Sequence, residues 1–231
     1  MYCNNNQVIV GVFGSKPDPI IPDVVFDKVY AANAALEQAQ QHHYCSKVSV
    51  LSGYVFSANS ECLKCWEHIR ECQADFVHVV NSNATSEQDI EDRIRSELRV
   101  EGFDIVEPWS RIRLITKVLG WRAALSIVNS SPLVFRCRDF FRIIRGTEPR
   151  SLRVSTGVYA LCYAIEQSES ARPTYYVIGI GVEGGTGHFY DKGIIYPNFH
   201  RNADLKVLLE LKKKLGKRLV VTDEDARDLL K

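Results

Sequence analysis

Three stretches in the last third of the chain combine groups that could hold an anion and move a proton. The first, Arg153-Val154-Ser155-Thr156-Gly157, leads into an apolar run from Val158 to Ile165. Hydroxyls and a glycine at a helix start lie beside unpaired backbone N–H groups and the positive end of the helix dipole, which suits an anionic oxygen. A serine or threonine there can also serve only as a cap. The second is the run Tyr175 to Ile180, which ends in a glycine-rich loop containing Glu183 and closing on His188-Phe189-Tyr190-Asp191. The carboxyl end of a parallel strand is where open α/β sheets hold ligands, and an imidazole, a phenol and a carboxylate within four residues exceed what a connection requires. The third is His200, just ahead of a helix starting near Asn202. An imidazole that titrates near neutrality can take a proton from a hydroxyl.

These groups need a frame, and the chain supplies the pattern of one. Gln7 to Phe13, a second segment closing on Asn33, Lys47 to Leu51 and Phe76 to Val80 are short β-branched runs that read as buried parallel strands. Helical stretches alternate with them at Ala34 to Gln41 and Ser60 to Gln73. The alternation predicts an α/β fold: one Rossmann-like domain over residues 1–231, a mostly parallel sheet flanked by helices. Residues 86–150 differ. Charges dominate Ser86 to Val100, Trp109 to Val128 is apolar and helical, and aromatics follow, so this block is expected to be a helical insertion or lid. Beyond it the pattern predicts a helix over Val154 to Gln167, a strand at Tyr175 to Ile180, a helix over Asn202 to Leu215, a strand at Arg218 to Val221 and a last helix from Asp225.

The order and spacing of these motifs resemble the sialyltransferase superfamily. Its eukaryotic members carry an STG-type motif, an HYYD-like motif and a later histidine followed by an acid. In bacterial members a segment like RITSGVY aligns with Arg153 to Tyr159, and one like HSKNTDIKAL aligns with His200 to Leu208, with the acid one place further from the histidine than Asp204 is from His200. The resemblance implies a GT-A-variant-like fold and inverting transfer of sialic acid, or a related acidic sugar, from a CMP-linked donor to a glycan hydroxyl. It implies His200 as general base and His188, with Tyr190, at the leaving phosphate. It places Ser155, Thr156 and Gly157 at the donor and Arg153 on the acceptor side. Ser15 and Asn33 match donor-binding positions in the first half of the chain. There the match thins: Phe13 stands where bacterial members have an asparagine, and Glu183 and His188 stand where some have two phosphate-holding tyrosines. A donor such as CMP-Kdo, or an inactive domain that kept the nucleotide site, are the alternatives; a methyltransferase would need a richer glycine loop than Gly11 to Ser15.

Composition narrows the rest. With 29 Lys and Arg against 28 Asp and Glu, the net charge of +1 gives no global field for nucleic acid or membrane. No apolar run is long enough to span a bilayer, so any membrane association is expected to be peripheral. Seven cysteines without framework spacing, and a start lacking a signal-peptide pattern, predict a cytoplasmic protein; the sequon at Asn83 then carries no glycan. Cys62, Cys65, His68 and Cys72 have soft-ligand chemistry, but crowding on one helix predicts buried cysteines rather than zinc. Asp223-Glu224-Asp225 matches a metal-binding DxD pattern and is read as a helix cap. A departing monophosphate can be stabilised by hydrogen bonds and an imidazolium, so no metal or other cofactor is expected.

Overall fold

The computed structural model describes residues 8–40, 45–81, 85–129, 137–139, 141, 142, 145, 152–180 and 200–230. Among them, the strands β1 (Ile9–Phe13), β2 (Lys28–Ala32), β3 (Ser46–Ser52), β4 (Phe76–Val80), β5 (Gly102–Val106), β6 (Thr174–Ile178) and β7 (Leu219–Val221) form one sheet. Their order is β5-β4-β3-β2-β1-β6-β7. Every pairing is parallel. Parallel pairing needs a crossover between strands, and the crossovers lay helices on both faces. The helices are α1 (Leu36–Ala39), α2 (Ser60–Glu71), α3 (Glu87–Glu97), α4 (Ser110–Leu119), α5 (Trp121–Asn129), α6 (Thr156–Ser168), α7 (Arg201–Leu215) and α8 (Glu224–Leu229). The expected α/β class is therefore the observed one.

Alternation along each strand divides the interior into two cores. On one face Val10, Val12, Tyr30, Val48 and Val50 pack against Leu114 and Ile115 of α4, Leu161 of α6 and Val207, Leu208 and Leu211 of α7. On the other, Phe13, Val29, Leu51, Val77 and Val79 meet Leu36 of α1, Trp66 and Ile69 of α2, and Ile90 and Ile94 of α3. Strands covered on both sides have no polar face, which is why they read as unbroken apolar runs. Local chemistry fixes the helix starts: the Asn59 side chain accepts from Cys62 N–H (2.7 Å), and Ser86 Oγ from Asp89 N–H (3.1 Å).

One expectation needs correction. The block read as helical insertion contains β5, which pairs with β4 and extends the sheet. Its sequence, Gly-Phe-Asp-Ile-Val, is half-buried throughout and sits among charged residues, so its apolar content is too thin to stand out. Asp104 is polar for a reason: it meets His78, its partner in register on β4. In the same block, α4 and α5 lie in the helical layer beside α6 and α7.

The sheet turns back between β1 and β6, the topological switch point at which ligands sit in open α/β folds. Here the two strand ends are clasped. Gly14 N–H donates to Ile178 O (2.7 Å), and Lys16 N–H to Gly179 O (3.0 Å). Gly179 turns at φ +65°, and a Cβ on Gly14 would lie 2.4 Å from the Gly179 carbonyl oxygen. Asp223, buried after β7, accepts from Gly179 N–H (2.6 Å) and pairs with Lys16 (3.8 Å). Asp223 was expected to cap the last helix. It occupies that position, but its carboxylate makes no capping bond and is committed to the clasp, because the buried N–H of Gly179 needs an acceptor.

The clasp gives a first prediction. Gly14→Ala sets a methyl group against backbone that cannot move away and should lower urea-unfolding stability by about 2–4 kcal/mol. Gly157→Ala, whose Cβ has as its nearest neighbour the Ile180 side chain at 3.2 Å, should lose less than about 1 kcal/mol. Equal losses would remove the clasp's special role.

Candidate active site

Helix α6 starts at the carboxyl edge of the sheet, beside the end of β6, where Ile180 packs on Gly157. Ser155 caps it, with its Oγ accepting from Val158 N–H (3.3 Å). The approach to this helix is held by side chains from two other helices at three successive residues. His200, at the start of α7, donates from Nδ1 to the Arg153 carbonyl (2.8 Å). Arg111, near the start of α4, reaches the Val154 carbonyl (3.5 Å). Asp204, one turn into α7, accepts from Ser155 N–H through Oδ1 (2.7 Å).

These bonds fix the chemistry of His200. A carbonyl only accepts, so Nδ1 carries the proton and the neutral ring offers Nε2 as its base. Burial holds the imidazole pKa below its ordinary 6.5, and the charges of Arg153 and Arg111 act in the same direction; the carbonyl bond opposes them. The ring is therefore neutral, and able to take a proton, at physiological pH.

Asp204 is shifted the other way. It is fully buried, and burial pushes its carboxyl up to about 7 against the bonds from Ser155 and the charge of Arg111. Near neutrality it is thus partly protonated and adds little negative charge beneath the helix start. Arg111 is only 9% exposed, its guanidinium lying 5.5 Å from the centre of the Tyr159 ring. The α6 start therefore combines the backbone N–H groups of a helix's first turn, the Thr156 hydroxyl and two nearby arginines, Arg111 and Arg153, an environment that suits an anion.

The structure brings Arg153, Ser155, Thr156, Gly157 and His200 to one place. Ser15 follows the β1 end of the clasp. Asn33 follows β2 in the left-handed region, φ 50°, and its side-chain oxygen accepts from Ser52 N–H (2.9 Å). That bond sets the orientation of the side chain, with its oxygen turned to the start of the turn after β3. His188 and Tyr190, with Glu183, lie outside the described residues. In the cysteine-rich helix, Cys62, Cys65 and Cys72 are buried, while His68 turns to Glu37 (2.5 Å). Burial raises the Cys72 thiol to about 11. Among the described residues no three acid, histidine or cysteine side chains converge in a metal site, and no helix is long and apolar enough to cross a membrane.

Sequence reading missed Arg111, one arginine among several on a mixed helix. It also missed His78, where a signal existed: a histidine inside the strand FVHVV must find partners. His78 Nδ1 meets Asp104 (2.6 Å), Nε2 meets the Tyr159 hydroxyl (2.9 Å), and the ring stacks on Tyr163 at 4.0 Å. This network ties α6 to the sheet one turn after Ser155.

The chain matches no model of a known protein family, and no curated protein matches its sequence. Solved structures similar to it include the sialyltransferase CstII from Campylobacter jejuni with the substrate analogue CMP-3FNeuAc, at 15% identity over 94% of this chain and 81% of that one, with a TM-score of 0.48. CstII with a trisaccharide acceptor and CMP is similar at 18% identity, over 93% and 80% of the two chains, with a TM-score of 0.44. Monomeric CstII is similar at 16% identity, over 95% and 82%, with a TM-score of 0.45.

Asp204 gives a prediction with a definite sign. Its native pKa of about 7 exceeds the ordinary 3.8, so between those values the folded state holds a proton that the unfolded state releases. Its contribution to stability therefore falls as pH rises from about 4 to about 7. Asp204→Asn keeps an acceptor for Ser155 and cannot titrate. The stability difference between wild type and this variant should shift by roughly 2–4 kcal/mol in the variant's favour across that range, read from urea unfolding at each pH. His200, with its lowered pKa, loses stability toward acid instead, but that loss is common to both proteins. A difference that stays constant with pH would refute the assignment.

Proposed function

We propose that the protein is a glycosyltransferase that moves sialic acid, or a related acidic sugar, from a CMP-linked donor to a glycan hydroxyl with inversion. The observation that carries this reading is the placing of His200: a neutral imidazole, its Nδ1 proton committed to Arg153 O, next to a helix start suited to an anion. It joins the order of the STG, HFYD and histidine–acid motifs in the sequence. In this reading Nε2 takes the proton of the acceptor hydroxyl as its oxygen attacks the anomeric carbon, and the bond from that carbon to the CMP phosphate oxygen breaks. The departing phosphate carries its charge toward the N–H groups and hydroxyl of Thr156 and Gly157, with Ser155 as the cap that sets their direction. His188 and Tyr190 are assigned to the same phosphate, Ser15 and Asn33 to the nucleotide, and Arg153 to the acceptor side. A single phosphate leaving group needs no metal in this scheme. Phe13 and Glu183, which depart from the bacterial pattern, favour a second reading only for the sugar: another CMP-linked acid such as Kdo.

The test pairs binding with turnover. Calorimetry against CMP, UDP, NAD and S-adenosylmethionine should detect CMP and not the others. With CMP-sialic acid and a mixed panel of glycan acceptors, His200→Ala should lower transfer at least about 100-fold while leaving CMP affinity within about threefold. The wild-type rate should rise with pH through an apparent pKa below 6.5 and remain high at neutrality. A clear UDP signal without CMP binding overturns the donor assignment, and undiminished transfer by His200→Ala overturns the base.

A further inference from the structure

Helix α4 packs an apolar stripe into the core it shares with α6 and α7, and that stripe begins with a charge. Its buried positions are Arg111, Leu114, Ile115 and Val118, the i, i+3, i+4, i+7 spacing of one helical face. An arginine on such a stripe needs partners for its guanidinium. Two of them are the Val154 carbonyl (3.5 Å) and the Tyr159 ring, whose centre lies 5.5 Å from the guanidinium carbon. That distance is within the range at which a cation is drawn to a ring face.

Tyr159 is itself held at both ends. Its N–H donates to the Ser155 carbonyl (3.0 Å), one turn back at the cap. Its hydroxyl meets His78 Nε2 (2.9 Å), and Asp104 meets His78 Nδ1 (2.6 Å). Burial pushes the phenol above its ordinary 10, so the hydroxyl keeps its proton. With Asp104 accepting from Nδ1, the neutral ring takes the hydroxyl's hydrogen bond at Nε2. His78 and Tyr159 are 3% and 1% exposed. An apolar pair of the same shape would fill this space with no polar group to satisfy. A network bonded at the hydroxyl and at both ring nitrogens adds a fixed position rather than packing. What it fixes is the ring on which Arg111 lies.

We propose that Tyr159 is a positioning residue for His200: locked by His78 and Asp104, its ring stations the Arg111 guanidinium at the approach to α6, from where that charge bears on the base. The role rests on His200 being the general base of the transfer. Among the described residues the charges acting on His200 are Arg111 and Arg153, and Asp204 lies one turn further along α7. Both arginines favour the neutral imidazole, so releasing Arg111 raises the pKa of His200. Asp204 has a pKa of about 7 and is mostly protonated where His200 titrates, so its own response does not offset the rise.

NMR titration of the full chain with labelled histidine reads this without turnover. Of the six histidines, the His200 signal is the one missing from His200→Ala. Arg111→Met should raise the His200 midpoint by at least about half a pH unit, and Tyr159→Leu should reproduce most of that rise. The acid limb of the transfer rate should move up with it. Leu161→Ala, a cavity in the core face of the same helix, should lower urea stability and leave the midpoint where it was. If Tyr159→Leu does not fold, His78→Phe, which removes both bonds of the ring, should move the midpoint in the same direction. An unmoved midpoint in Arg111→Met, in folded Tyr159→Leu or in the His78→Phe that replaces it overturns the proposal, as does an equal rise in Leu161→Ala. A raised midpoint in a protein that transfers no sugar supports the positioning and overturns the transferase reading alone, so the two failures are distinguishable.

Discussion

The candidate site depends on three polar contacts that hold three consecutive residues before α6. Without them Arg153, Val154 and Ser155 would be an ordinary loop, with their carbonyl and amide groups turned to water. Instead Arg111 and His200 take two carbonyls and Asp204 takes one N–H. Each contact satisfies a backbone group and also sets the state of a side chain. The bond to Arg153 O decides which nitrogen of His200 carries the proton. The bond from Ser155 N–H gives a buried carboxyl a partner it could not do without. Geometry and protonation are thus fixed by the same three contacts.

Burial then does opposite things to the two titrating groups on α7. It disfavours the charged form of each, so the imidazole loses its proton and the carboxyl keeps one. Among the described residues, Arg111 and Arg153 are then left as the charges acting on the α6 start. A fully ionised carboxylate there would have offset them, and a protonated histidine would have had no base to offer. The sign of the local field therefore follows from desolvation rather than from the count of charged residues, which is nearly balanced.

Much of this frame was legible in the sequence. Strands buried on both faces leave apolar runs that need no context, and α6 announced itself through Ser155-Thr156-Gly157 ahead of an apolar stretch. What stayed hidden were features that only pairing creates. β5 is a half-buried edge strand, and its Asp104 makes sense only once His78 lies opposite. Asp223 sits where a cap would, and nothing along the chain says that Gly179, from another strand, claims its carboxylate. Arg111 is indistinguishable in sequence from its solvated neighbours. The motif order pointed to His200, but its tautomer came from a carbonyl 47 residues earlier.

The placement of β1 at the centre of the sheet also has a bearing on how the molecule comes to exist. Its two neighbours differ greatly in chain distance: β2 follows at once, whereas Ile9 and its β6 partner Thr174 are about 165 residues apart. During synthesis β1 to β5 emerge first, with α1 to α3 available to cover one face. The other face must wait for α6 and α7, which supply most of its apolar cover. The same pairing of β6 with β1 that sets Gly14 against Gly179 also places Ile180 on Gly157, and so ties the α6 start to the strand ends. A chain cut short before β6 has α6 but lacks the central partner of β1, the Gly179 side of the clasp, and α7 with His200 and Asp204.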